Sequence, residues 1–188
     1  GPAHATPGTD PATPDPAPRS GGAASPSPGR LERVRSGGGS EATERAARAG
    51  LLWLARHQAP DGAWTAHEFG VRCSPAAACT GKGYKSYEVG LTALALCALL
   101  GGGIPPDATA AGPADDEEAM LARAAAAALQ KLLAGQEPNG CIGPLDILKP
   151  LYNHALATLA LCEALRFTGR EGLRDPARRA VDFLLAAQ

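Results

Sequence analysis

An internal repeat limits what this chain can become more than any other feature. Leu51–Trp64 lines up with Leu129–Ile142: a leucine-rich stretch, then Gln58 or Gln136, then Pro-Asp-Gly or Pro-Asn-Gly. Ala180–Gln188 opens a third copy and reaches its glutamine. Between these segments a second pattern recurs at a constant offset of 65. Tyr87 falls on Tyr152, Leu91 on Leu156, Leu94 on Leu159, and Leu96-Cys97 on Leu161-Cys162. Two unlike segments repeating in alternation describe one supersecondary unit that buries its apolar surface on the next copy.

Periodicity identifies that unit as a pair of helices. Ser40 is a good N-cap, with Glu41 and Glu44 in the first turn where negative charge suits the helix dipole. Ala47, Leu51, Leu54, Ala55 and Gln58 follow at helical spacing, predicting an amphipathic helix over 41–58 that Pro60-Asp61-Gly62 ends. A second helix, 86–101, is apolar on every face and calls for other helices all round it. The alternation continues with an amphipathic helix over 116–135, opened by Asp115-Asp116-Glu117-Glu118. An apolar helix over 151–168 follows, then a last amphipathic one over 173–188, with Asp175 as cap and Pro176 at its first position. Few Val and Ile among many Ala and Leu fit helices and not a sheet, so the expected class is all-α. The longest apolar run, Val89–Ile104, has 16 residues and ends in Gly101, Gly102 and Gly103 before Ile104, short of the roughly 20 that span a bilayer.

Residues 1–40 stand apart. Sixteen Gly and Pro fall there, with no Ile, Phe, Met, Trp or Tyr, so this segment is expected to be a disordered linker. The domain proper is 41–188. A linker of this composition implies an anchor or a further domain on its far side, and the expectation is an exported or membrane-anchored protein whose domain lies outside the cytoplasm. Eighteen basic against nineteen acidic residues give a formal charge of −1, so no basic footprint points to nucleic acid.

The stretch Gln58-x-Pro-Asp-Gly-x-Trp64 and its weaker copy Gln136-x-Pro-Asn-Gly-Cys141 resemble the glutamine–tryptophan repeats of squalene–hopene cyclases and protein prenyltransferase β-subunits. With Tyr152–Leu161, the chain looks most like bacterial prenyltransferase/squalene-oxidase-repeat proteins. The resemblance covers 41–188 and implies an α/α toroid, here a partial one of about two and a half units, with apolar inner and amphipathic outer helices. Gln58, Gly62, Trp64, Gln136, Gly140 and Gln188 then carry a structural motif, in which a glutamine amide can satisfy orphan groups at a neighbouring helix end. An incomplete ring would expose Leu and Ala beside 41–58 and 173–188.

The residues that would carry the family's chemistry are missing. Asp115-Asp116-Glu117-Glu118 lacks the spacing of the cyclase acid and reads as a helix start. Asn139-Gly140-Cys141 is only a near miss to the prenyltransferase zinc ligands, since Asn is a poor one. No catalytic residue, cofactor or resident metal is expected. Cys97 and Cys162 occupy one register of two apolar helices and act as small apolar residues. Cys73 and Cys79 lie in the insertion Thr65–Ser86 and form a disulfide candidate in an oxidising compartment; free thiols are the next alternative, and a Cys3His site with His67 and Cys141 is the weakest.

A binding scaffold is therefore expected, for an apolar small molecule, a peptide or a glycan. Tyr84, Tyr87, Tyr152, Asn153 and His154, near the starts of the apolar helices, are the candidates for a concave rim. The alternative is an isoprenoid cyclase or prenyltransferase whose catalytic part lies beyond residue 188. Glycan cleavage rests on fold analogy alone. Eight aromatic residues are few for a polyene cyclase, which stabilises migrating cations on π-faces.

Overall fold

The computed structural model of the chain describes residues 32, 36–73, 79–81, 83–113, 116–147 and 149–187. Nearly all of the expected linker, and Asp115 and Gln188, lie outside the described residues. The fold is all-α. Five α-helices run through the described residues: α1 Glu41–His57, α2 Glu88–Gly101, α3 Glu117–Ala134, α4 Pro150–Thr168 and α5 Arg174–Ala186. Short 3-10 turns at Phe69–Arg72, Lys85–Tyr87 and Glu171–Leu173 join them. An isolated antiparallel bridge pairs Gln136 with Ile142.

Local chemistry explains most helix ends. Ser40 accepts the Thr43 N–H at 3.3 Å while Thr43 Oγ1 accepts the Ser40 N–H at 2.9 Å, a reciprocal capping box. Asp116 accepts the N–H groups of Glu118 and Ala119 at the start of α3. Gly169 ends α4 in the left-handed conformation, φ +63°. Asp175 does not cap α5. The turn Glu171–Leu173 feeds straight into the helix, so the cap position falls on Leu173 and Asp175 instead accepts from Arg178 at 3.0 Å.

Helices α2 and α4 pack side by side, α3 backs α2, α5 backs α4, and α1 lies against α3. Burial follows the repeat. Leu96 and Leu161, one offset apart, are both fully buried, and Ala95 and Ala160 beside them are buried too. Leu94 and Leu159, also equivalent, are 47% and 50% exposed. The apolar helices are therefore not surrounded on all sides: each keeps one open face because its neighbours cover the others. α3 is the reverse. It buries Ala119, Ala122, Ala124 and Ala126 in addition to its leucine stripe, because α1, α2 and the Gly62 turn close on it from different directions. Trp53 on α1 and Leu185 on α5 are exposed. Among the described residues no helix is long and apolar enough to cross a membrane.

Candidate functional site

Two equivalent turns set the spacing of the helices. Gln58 Nε2 donates to the Gly62 carbonyl of its own turn and to the Ala124 carbonyl of α3, both at 2.9 Å. Gln136 Nε2 does the same to Gly140 at 3.2 Å and to Pro176 of α5 at 2.9 Å. The acceptors on the neighbouring helices, Ala124 and Pro176, are not orphan groups at a helix end, as the motif suggested. They sit within helical turns, and a carbonyl's second lone pair allows the extra bond. Asp61 and Asn139 close the two turns by accepting the N–H of Ala63 and Cys141. Gly62 and Gly140 adopt φ +88° and +91°, and a Cβ on either would collide with the backbone of Ala127 or Arg179. Trp64 is buried and its indole N–H donates to the Leu54 carbonyl at 2.9 Å.

The open faces of α2 and α4 line a groove. One cleft of about 530 Å³ runs between the helix starts, bounded by Tyr84, Tyr87, Lys149, Tyr152, Leu91 and Leu156. A second, of about 580 Å³, lies under Trp53, Trp64 and Phe69. Ala66, Gly83, Leu91 and Leu94 line both, so the two are continuous. Tyr84 and Tyr87 meet edge to face at 6.3 Å. Lys149, the residue before α4, is held at φ +61°, a left-handed conformation that is rare for a side chain of its size.

Four of the five rim candidates thus meet at one cleft, and the fifth does not. Asn153 lines it, but its polar atoms serve the fold: Oδ1 accepts the Gly90 N–H at 3.0 Å and Nδ2 donates to the Ser86 carbonyl at 2.6 Å. His154 is fully buried and faces α5, so it forms no part of the rim. Its Nδ1 accepts the Ile142 N–H at 3.0 Å, which leaves the hydrogen on Nε2, 3.0 Å from the Ala180 carbonyl. Phe183 packs on the ring edge to face at 4.8 Å. Burial holds the imidazole below the ordinary histidine range. In the first unit Thr92 does the corresponding work, accepting the Trp64 N–H at 3.1 Å.

The cysteines of the insertion gather elsewhere. Cys73 and Cys79 are free thiols, and with His57 their ligand atoms lie within 4.8 Å of one another. His67 and Cys141 stay apart from this group: His67 pairs with Glu68 at 3.3 Å, and the buried Cys141 thiol lies 3.6 Å from the Gly143 carbonyl. Cys73 Sγ accepts the Cys79 N–H at 3.2 Å and lies 3.3 Å from His57 Nε2. The Cys79 thiol and N–H, and then the imidazole, draw the Cys73 thiol below its ordinary value. Burial pushes Cys97, Cys141 and Cys162 the other way.

No family model matches the chain, and neither a curated protein nor a solved structure matches it.

His57 is the functional candidate that the sequence reading passed over, as one more residue of an amphipathic helix. A signal for it exists in the repeat. Its counterparts are Gly135 and Ala187, so a histidine stands where the other copies hold small residues. The same copy is longer by 13 residues between its turn and its apolar helix, and that excess carries both cysteines.

Proposed function

We propose that this chain is a partial α/α toroid of the prenyltransferase/squalene-oxidase-repeat kind and acts as a binding scaffold for an apolar small molecule. The observation that carries this reading is the continuous groove along α2 and α4. Leu94 stands 47% exposed on a helix that buries Ala93, Leu96 and Leu99 completely, and the clefts it borders have the size of small-ligand sites. Three tyrosines at the rim combine apolar faces with hydroxyls that can orient one polar end of a ligand. Lys149 adds a cation at the same end.

Trp53 and Trp64 border the groove, so ligand entry is read by their emission. Titration with a fatty acid, an isoprenoid alcohol and a steroid tests the proposal. At least one class should quench the emission saturably, and Leu94→Asp should abolish the response while helical circular dichroism is retained. Linear, non-saturable quenching by all three, or saturable binding that Leu94→Asp and Tyr152→Ala leave unchanged, would overturn it.

A further inference from the structure

We propose that His57, Cys73 and Cys79 form a zinc site whose fourth position is left to water or an exogenous ligand. The site is independent of the groove reading above.

The donor set comes first. Two sulfurs and one imidazole nitrogen are soft to borderline ligands, which suit Zn²⁺ and disfavour Mg²⁺ and Ca²⁺. With both thiols ionised and the imidazole neutral, the ligands carry two negative charges and neutralise a divalent ion. The mutual approach of the three donor atoms, all within 4.8 Å, fits a single tetrahedral centre with metal–ligand distances of about 2.0–2.3 Å.

Orientation is the second observation. His57 Nδ1 lies 2.7 Å from the Trp53 carbonyl, which can only accept, so the neutral ring carries its hydrogen on Nδ1. The Nε2 lone pair is then aimed at Cys73 Sγ, 3.3 Å away. A backbone carbonyl fixing the distal nitrogen is the usual outer-shell partner of a metal-bound histidine. Trp53 also stacks on the ring at 3.9 Å and holds its plane. Cys73 follows the 3-10 turn Phe69–Arg72 directly, and the Cys79 N–H bonded to its sulfur stabilises a thiolate there.

Binding displaces the two thiol protons to solvent, one from each cysteine, and involves no oxidation or reduction. The departure of this copy from its repeat supports the assignment. The histidine and both cysteines are extra to the repeat pattern, and they meet at one point in space.

The test uses the full chain, reduced and stripped of metal by chelation, and titrated with Co²⁺ as a spectroscopic stand-in for Zn²⁺. One Co²⁺ per chain should bind, with the near-ultraviolet thiolate-to-cobalt charge-transfer band and the visible bands of tetrahedral cobalt, and Zn²⁺ should bleach both. Cys73→Ser and Cys79→Ser should each weaken or remove the charge-transfer band, and His57→Gln should lower the affinity at least about tenfold. Cys162→Ser should change nothing. As a readout independent of variant folding, Zn²⁺ should protect Cys73 and Cys79 of the unmutated chain from alkylation, as read by peptide mass. Absence of the bands, their persistence in both serine variants, or equal alkylation with and without Zn²⁺ overturns the assignment.

Discussion

The Asn153 amide of α4 holds the start of a different helix, α2: its Oδ1 accepts the Gly90 N–H at 3.0 Å. Gly90 is the third residue of α2, where backbone N–H groups lack intrahelical partners, and Tyr87 at the cap position offers no side-chain bond. The pair therefore joins two helices of successive units through one buried cap.

Removing that cap should cost stability in a coupled way. Asn153→Ala leaves the Gly90 N–H buried without its acceptor, a loss of about 1–2 kcal/mol. In Gly90→Ala the new Cβ would come within 2.7 Å of Asn153 Oδ1 and 3.2 Å of Leu156 Cδ1, so that variant is also destabilised. The double variant relieves the first contact, and urea unfolding should show it less destabilised than the sum. Losses that add within about 0.5 kcal/mol would contradict the coupling.

The turn glycines should behave unlike helical ones. Gly62→Ala and Gly140→Ala combine a positive φ with collision against the next helix, and each should cost about 2 kcal/mol or more. Gly50 lies inside α1 with open space around it, so Gly50→Ala should stabilise by about 0.5–1 kcal/mol. Thermal melts of the three variants at one pH separate these cases. Turn variants that melt with the unmutated chain would refute the docking role.

Two leucines separated by one residue on α2 should also give opposite results. Leu96→Ala, like its repeat partner Leu161→Ala, removes a fully buried side chain and should cost about 2–5 kcal/mol. Leu94→Ala and Leu159→Ala, on the open faces, should cost less than about 1 kcal/mol. Chemical denaturation of the four variants checks the register directly, since a shift of the helix by two residues would exchange the outcomes.

Acid should loosen the molecule through His154. Its folded value is lowered by burial, so the native state keeps the ring neutral while the unfolded chain protonates near about 6.5. Stability is full above that pH and is lost as the pH falls from there towards the lower folded value. Unfolding free energies across this window should decline, and His154→Asn should flatten the decline. Asp61 acts in a separate window: its hydrogen bond to Lys131 holds the carboxyl down, so its contribution fades only below the ordinary carboxylate range. A profile that keeps its slope in the His154 variant would assign the titration elsewhere.

The helices and their register were legible because both rest on local patterning. Equivalent leucines at an offset of 65 share their exposure, and the Pro-Asp-Gly and Pro-Asn-Gly turns bond in the same way. Long-range relationships were harder to read. His154 looked like a rim residue because nothing in its own helix shows that its ring faces α5, and the second task of Asn153 was hidden because nothing there shows that the adjacent helix begins without a side-chain cap. The apolar helices looked fully enclosed because their composition does not say how many neighbours surround them. His57 escaped notice because its meaning depends on a chain reversal that returns Cys73 and Cys79 to the end of α1.

The grip of each glutamine has a consequence for how such a chain can vary. Gln58 holds α3 at Ala124, seven residues into the helix, whereas Gln136 holds α5 at Pro176, only two residues in. In both units the turn glycine then meets the backbone three residues further on, at Ala127 and Arg179. Attachment is thus indifferent to where the gripped helix begins. Residues can be gained or lost upstream of the contact, through the connection before α3 or the turn before α5, while the distance between successive units stays fixed. Length variation is thereby confined to the segments between contacts, where an insertion can be accommodated without disturbing the packing of the rest.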